Sequence, residues 1–353
     1  MIKQSNIESF ADVAVIHRTI KMPLFEKVNA VVDWHEVEKE ISKSYQKGKS
    51  VDGRESYSSL ILFKMLLLQM WYNLSDVAVE ESVRDRISFS KFCGISMGEP
   101  VPDATVLCRF RSQLCKTNTF DSLLKIINAR LEKAAIMVTQ GVIVDASVTP
   151  TLRKPKGKKE YEKAPEDRME DHQTNNDQQQ TSDETKWTEK IKPGVDTQGA
   201  WLKKAGKLHY GYKQHTVCNQ DGYVLGIHTT SANESDIKNL GKTLDTITIK
   251  PRTPVYADKG YASEDNDKIL ADKKLKNRIL HKAKKNKPLS AIEKAINKKI
   301  SQTRYKIERY YGSVKRWFKS DTARYVGKAK THAQHLLQGI CHNLYRIPLV
   351  TVV

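Results

Sequence analysis

The chain has 353 residues, which at roughly 150 residues per domain is room for two domains that each bury a core. Sixty Lys and Arg against forty-one Asp and Glu leave a net charge of +19, so a polyanion is the expected partner, nucleic acid first. A hydrophobic fraction of 39% excludes a disordered basic tail, and five cysteines without a CxxC pair (Cys93, Cys108, Cys115, Cys218, Cys341) exclude a disulfide framework or a zinc site.

Residues 1–20 carry Lys3, Glu8, Asp12, His17 and Arg18 without an apolar core, so no secretory signal is expected and the protein is placed in the cytoplasm. Leu60 to Leu74 is the longest apolar stretch; Lys64, Gln69 and Asn73 interrupt it, and it falls short of the ~20 residues that cross a bilayer. It reads as a buried helix, Leu60 to Trp71, followed by a turn at Asn73-Leu74-Ser75 and a second helix from Asp76 to Ile87. This is a helix-turn-helix-like unit. A third helix follows Pro102-Asp103, with Asp103 as its cap and Val106, Arg109, Phe110 and Leu114 at helical spacing. Cys108 and Cys115 share a face of it and are expected to be small core residues.

At Gly141 the texture changes. Val142-Ile143-Val144-Asp145-Ala146-Ser147-Val148 is a β-branched run between Gly141 and Pro150, and a new domain begins there. Residues 153–186 hold only Tyr161, Ala164 and Met169 as apolar residues, too few to offset ordering entropy. The stretch 152–206 is therefore expected to be a mobile, charged insertion. Residues 211–219 and 222–230 read as a hairpin turning at Gln220-Asp221-Gly222. Thr253 to Asp258 is another short strand, 263–272 a helix and Arg278 to Lys282 a further strand, before two helices centred near Glu308 and Leu337. The expected fold class is a mixed α/β (α+β) one: a helical domain over 1–135 and a strand-containing domain over 136–350.

Between Lys273 and Lys299 eleven Lys or Arg face a single acid, Glu293. Such a run is often solvated surface; its place between two candidate catalytic acids favours phosphate contact, with Lys284 and Lys285 at its centre.

Asp145 and Asp258 each sit at or near the end of a short apolar strand, where side chains of neighbouring strands converge. Paired carboxylates repel unless a cation lies between them, and hard oxygen ligands suit Mg²⁺, which serves phosphoryl transfer in pairs about 4 Å apart. Alone, either Asp is more often a strand-end capping or salt-bridged acid than a ligand. Arg304, Glu308 and Lys315 lie four and seven residues apart and, at about 100° per residue, fall on one helix face. Ile300, Ile307, Tyr311, Val314 and Phe318 make the adjoining apolar stripe, so the helix can bury one side and turn the charged face to a cleft. The structural alternative is a solvated face in which Arg304 and Glu308 form an i,i+4 pair.

These residues resemble the DDE transposases of bacterial insertion sequences, in particular insertion-sequence family five. The spacing R-x3-E-x6-K of Arg304, Glu308 and Lys315 is that family's signature around its glutamate. Trp71-Tyr72-Asn73-Leu74-Ser75-Asp76, Val144-Asp145-Ala146, His209-Tyr210-Gly211-Tyr212-Lys213, Ala232-Asn233-Glu234-Ser235-Asp236 and Asp258-Lys259-Gly260-Tyr261 follow in the family's order. The resemblance implies a helical DNA-binding domain, then an RNase H-like catalytic domain in which Asp145, Asp258 and Glu308 hold two Mg²⁺ ions, with Mn²⁺ a possible substitute. It implies that Arg304 and Lys315 contact the DNA backbone, and it makes Lys213 and His215, just past a hairpin strand, candidates to approach the scissile phosphate. Double-stranded DNA, as element ends and target, is the implied partner, held by a dimer or larger assembly. One departure stands out: the fuller pattern has a Tyr three residues before the Arg, and this chain has Ser301, with Tyr305 or Tyr310 as possible substitutes. Two other readings share the fold: a DNA-binding protein that has lost chemistry, and a stand-alone RNase H-like nuclease.

Overall fold

The computed structural model describes residues 23–45, 56–156, 161–163, 187–189, 193–283, 288–318 and 321–348. Lys284, Lys285 and most of the charged stretch lie outside the described residues.

Seven helices come first: α1 (Pro23–Val31), α2 (Trp34–Ser44), α3 (Ser59–Trp71), α4 (Asp76–Asp85), α5 (Ile87–Cys93), α6 (Ala104–Lys116) and α7 (Thr119–Lys133). Local chemistry sets their ends. Asp33, Ser58, Ser75 and Asp103 each accept backbone N–H bonds at an N-terminus, Asp103 from Thr105 and Val106 at 2.8 and 2.9 Å. Gly94, at φ +79°, closes α5 in the left-handed conformation. Helix α3 is buried almost all round, as its continuous apolar run demands. The expectation for the thiols of α6 is corrected: Cys108 is exposed and Cys115 half-buried, because Leu107, Phe110, Arg111 and Leu114 form the buried stripe and the cysteines lie beside it.

The second half is built on β1 (Val142–Pro150), with β2 (Tyr161–Lys163) and β3 (Trp187–Glu189) as a separate two-stranded sheet. It continues through β4 (Ala200–Lys204), β5 (Lys207–Asn219), β6 (Val224–Ser231), α8 (Asp236–Leu244), β7 (Pro254–Ala257), α9 (Glu264–Asp272), β8 (Lys276–Ile279), α10 (Ala291–Arg316) and α11 (Lys328–Tyr345). The main sheet runs β6-β5-β1-β7-β8; the first three strands are antiparallel, and β1, β7 and β8 are parallel. This is the RNase H-like order, with β4 added beside the first half of β5.

Alternation along β1 divides the core in two. Val142 and Val144 point to the α8 and α9 side, with Leu240, Leu244 and Leu270; Ile143 points to the side of α7, α10 and α11. The predicted hairpin is present: Gly222 turns at φ +86°, and the buried Asn219 carboxamide oxygen accepts from the backbone N–H groups of Asp221 and Tyr223.

Residues 193–206, assigned by composition to the insertion, are instead an ordered turn segment leading into the strand Ala200–Lys204 and its hairpin turn. Asp196 is fully buried, and β4 pairs with β5 from Ala200–Gly211 to Lys204–Lys207. β4 is an edge strand, paired with β5 on one side and open to solvent on the other, and lysines suit such an edge while hiding it from a reading of apolar runs.

The two halves share one hydrophobic cluster, because α11 packs back among the first helices. Trp71 donates its indole N–H to the Cys341 carbonyl at 3.1 Å, and Asn343 donates to Asn128 at 2.8 Å. The Trp71-to-Asp76 motif is part of this junction. Asp76 takes two bonds from Arg111, at 2.7 and 2.8 Å, and one from Gln69 at 2.6 Å. Arg324 donates to the Leu74 carbonyl at 3.1 Å and to the Asn73 side chain. Burial pushes the Asp76 carboxyl up, and the bonds from Arg111 and Gln69 outweigh it, leaving it below the ordinary range.

Candidate active site

Asp145 lies mid-way along β1, paired across the sheet with Thr216 of β5. On its other side β1 and β7 run in parallel up to the pair Val144–Ala257, so Asp258 emerges next to Asp145 where β7 ends. Asp258 is also the cap of a short 3₁₀ turn, Lys259–Tyr261, and accepts from the Lys259 N–H at 2.7 Å. Two strands thus deliver two carboxylates to one place.

Helix α10 covers this face of the sheet. Of the expected apolar stripe Ile300, Ile307, Val314 and Phe318 are buried, Tyr311 is half-buried, and Tyr310 beside it is fully buried; Ser290 and Glu293 form a capping box at the start of the helix. Arg304 points inward. Its guanidinium lies 3.3 Å from an Asp145 oxygen and 3.9 Å from an Asp258 oxygen, so one cation spans both acids. Its Nε is buried and has no hydrogen-bond partner among the described residues. Two turns on, the Tyr311 hydroxyl donates to the Asp145 carbonyl at 2.9 Å, clamping the strand that carries the acid.

Burial raises the Asp145 carboxyl above its ordinary range; Arg304 opposes this, Asp258 adds to it, and the Lys204 ammonium of β4 also lowers it. Tyr261 is buried with its hydroxyl unpartnered, in the combined field of Asp236, Asp145, Arg304 and Asp258.

The other expected residues fall into three places. Glu308 and Lys315 are exposed on α10 beyond Arg304, and Glu308 makes no ion pair among the described residues. Lys213 and His215 are buried on the opposite face of the sheet from Asp145. Lys213 donates to the Glu234 carbonyl at 2.6 Å and pairs with Asp236 at 2.9 Å, while His215 bonds Thr230 at 2.9 Å. Their side-chain direction follows from register: Asp145 pairs with Thr216, so residues 213 and 215 point away from it. In this structure neither reaches a surface that DNA could touch. Of the possible substitutes for the tyrosine at Ser301, Tyr310 is buried and accepts from Gln214, and Tyr305 is exposed beside Arg309. Tyr311 was hidden within the apolar stripe; its place seven residues after Arg304, on the same helix face, was the available signal.

Among the described residues no three His, Cys, Asp or Glu side chains are close enough together to hold a metal ion. The pair Asp145 and Asp258 does fit a divalent cation in its chemistry: both are hard oxygen donors, and their shared guanidinium shows that the arrangement draws positive charge between them. No helix among the described residues is long and apolar enough to cross a membrane.

Residues 16–113 match the family described as a transposase domain (DUF772), and residues 137–344 match the transposase DDE domain. The transposase for insertion sequence element IS1106 from Neisseria meningitidis serogroup B is 33% identical over 241 residues, covering 67% of this chain and 76% of that protein. No solved structure matches the chain. The match to the DDE domain takes in β1 to α11, with the bridged acids and the helix that bridges them, and on these grounds the chain belongs to the DDE transposases of insertion sequences.

Proposed function

We propose that this transposase binds the terminal inverted repeats of its own insertion sequence, cuts DNA at those ends and joins the freed ends to target DNA. The observation that carries the reading is the juxtaposition of Asp145 and Asp258 under Arg304. Asp145, Asp258 and Glu308 are the proposed metal ligands, for two Mg²⁺ ions that Mn²⁺ can replace. Bound there, the ions would supply an activated water and stabilise the charge that develops on the leaving oxygen.

The chain's own residues supply the rest. Arg304 keeps the acids charged and close against their mutual repulsion, and Tyr311 fixes the backbone of β1. Hydrolysis breaks a P–O3′ bond and leaves a 3′-hydroxyl, which attacks a target phosphodiester and displaces that strand's own 3′-oxygen. Lys315, exposed two turns beyond Glu308, is placed for backbone phosphates, as is the exposed face of α10 as a whole. The helices before β1 are the proposed grip on the element ends, with two copies of the chain holding two ends, on cytoplasmic DNA.

The test is cleavage of a plasmid carrying the DNA that flanks the reading frame, with Mg²⁺, by the parent protein and Asp258→Asn. Cuts at the element ends by the parent alone are expected. Tight binding without cutting by either protein, with Mg²⁺ or Mn²⁺, would instead identify a DNA-binding protein that has lost its chemistry.

A further inference from the structure

The β4–β5 hairpin is a rigid arm with a bare tip. At its base Asp196 is fully buried, accepts the Tyr212 hydroxyl at 2.7 Å and the Gly327 N–H at 3.1 Å, and gives its carbonyl to the Tyr210 hydroxyl at 2.7 Å. Gln198 accepts from the Lys328 N–H at 2.7 Å and, through its carbonyl, from Ser231 at 2.9 Å. At Gly211 β5 crosses β1 so closely that a Cβ there would lie 2.4 Å from the Thr149 carbonyl oxygen, so only glycine fits. The tip is a tight turn, Ala205-Gly206 at φ +48° and +77°, of the kind that closes two-residue hairpins.

Beyond that base the described residues leave the strands open. Lys203, Lys204 and Lys207 are exposed, and no ion pair engages them among the described residues. Trp201 is 44% and Leu208 67% exposed, unusual for such large apolar groups. Register sorts the faces: Trp201, Lys203 and Leu208 share one, and Lys204, Lys207 and His209 share the other. β5 runs antiparallel to β1 and β7 parallel to it, so the hairpin extends past the Pro150 end of β1, the same end of the sheet at which Asp258 leaves β7.

The geometry points to the β4–β5 hairpin as a DNA-contacting arm that holds the strand entering the Asp145–Asp258 site, its lysines on phosphates and Trp201 and Leu208 against exposed base or sugar surface. Charge complementarity selects DNA as the occupant: three exposed lysines, in no ion pair among the described residues, and no acid lie between Trp201 and His209. Apolar and aromatic groups interleaved with lysine suit unstacked nucleotides, on whose bases they can lie. The inference rests on Asp145 and Asp258 marking the cutting site.

The experiment uses the full chain and a duplex carrying the element end. Lys204→Ala/Lys207→Ala is expected to make the slope of log affinity against log salt shallower by about 2 and to slow cutting at least about tenfold, with Lys204→Arg/Lys207→Arg restoring both. A photoreactive benzoylphenylalanine at position 208 is expected to cross-link to nucleotides beside the cut. Unchanged slope and cutting rate in the double variant, without that cross-link, overturn the arm while leaving the site intact. A cross-link to a second copy of the chain also overturns it. Failure of the parent protein to cut the element end refutes the site itself, and the arm with it.

Discussion

Arg304 pairs with Asp145, 159 residues earlier in the chain, and not with Glu308, one turn away on its own helix. The choice reflects dielectric: a pair facing solvent gains little, whereas a guanidinium closing over two half-buried carboxylates relieves their repulsion. Glu308 is thereby left uncommitted at the rim.

Arg304→Ala should slow strand cutting by about 10²-fold, the size of effect expected when a fixed charge is removed from a catalytic centre. Arg304→Lys should recover only part of it, because a point charge cannot span both acids as a planar guanidinium does. Single-turnover cleavage of an element-end duplex reads both; equal rates for parent and Arg304→Ala would remove Arg304 from the site.

Glu308→Gln should abolish cutting without changing the unfolding midpoint or the affinity for element ends. Its side chain is exposed and engages no ion-pair partner among the described residues, so only a role gained with metal and DNA can make it essential. A variant that cuts at the parent's rate would exclude Glu308 as a ligand.

Asp145→Asn should inactivate the protein and yet stabilise it at neutral pH. The folded-state pKa of Asp145 lies above the ordinary value, with burial the larger cause and Arg304 opposing it. Folded protein therefore holds the proton more tightly, and stability drops as pH rises from the unfolded pKa through the folded one. The substitution removes that loss, so its advantage should be present at pH 7 and disappear below about pH 4. Thermal unfolding of both proteins across that range checks the sign; a lower midpoint for the variant at pH 7 would contradict it.

How far the site could be read in advance depended on which contacts are local. The strands carrying Asp145 and leading to Asp258 were visible as short apolar runs, and α10 as a 3.6-residue stripe, because burial writes period directly into sequence; the first strand, however, runs on past Asp145 to Pro150 and does not end at the acid. The partner of Arg304 was not visible, since spacing proposes only neighbours on the same helix. Lys213 and His215 show a second limit: they adjoin the motif in sequence, but one residue of strand parity turns them to the other face. Strand β4 was concealed by its own lysines, and the sharing of one core by both halves depends on α11 returning to α3, α6 and α7 from the far end of the chain.

The protein should lose stability on mild acidification. His335 is fully buried between the hydroxyls of Thr149 and Thr229, at 2.9 and 2.8 Å, and burial together with neighbouring histidines depresses it to about 3. Burial likewise depresses His215 and His342 to about 4. These values lie below the unfolded value near 6.5, so below that pH the unfolded chain takes up protons that the folded one refuses. Each histidine then costs about 1.4 kcal/mol per pH unit, and the loss should develop between pH 6.5 and about 4. Urea unfolding at pH 7.5, 6.5 and 5.5 should show a falling free energy, and His335→Gln should flatten the fall only in part, because His215, His342 and His228, which burial also lowers, remain. Stability independent of pH over that range would mean that these rings are not held neutral.

The junction between the first helices and the rest of the chain should be the costliest place to remove a charge. Arg111 is almost fully buried, donates twice to Asp76, and lies 4.3 Å from the Tyr325 ring centre, while Arg324 reaches the same turn at Leu74. Asp76→Asn strips the counter-charge from two arginines at once, and breaking such a buried pair from one side costs about 3 kcal/mol. Arg111→Met, which removes a charge and leaves an apolar chain of similar length, should cost less, because Asp76 is partly exposed and can turn to water and Gln69. Denaturant unfolding of the two variants checks the order. If Arg111→Met proved the more damaging, the junction would be held by the guanidinium's own packing on Tyr325 and not by its charge.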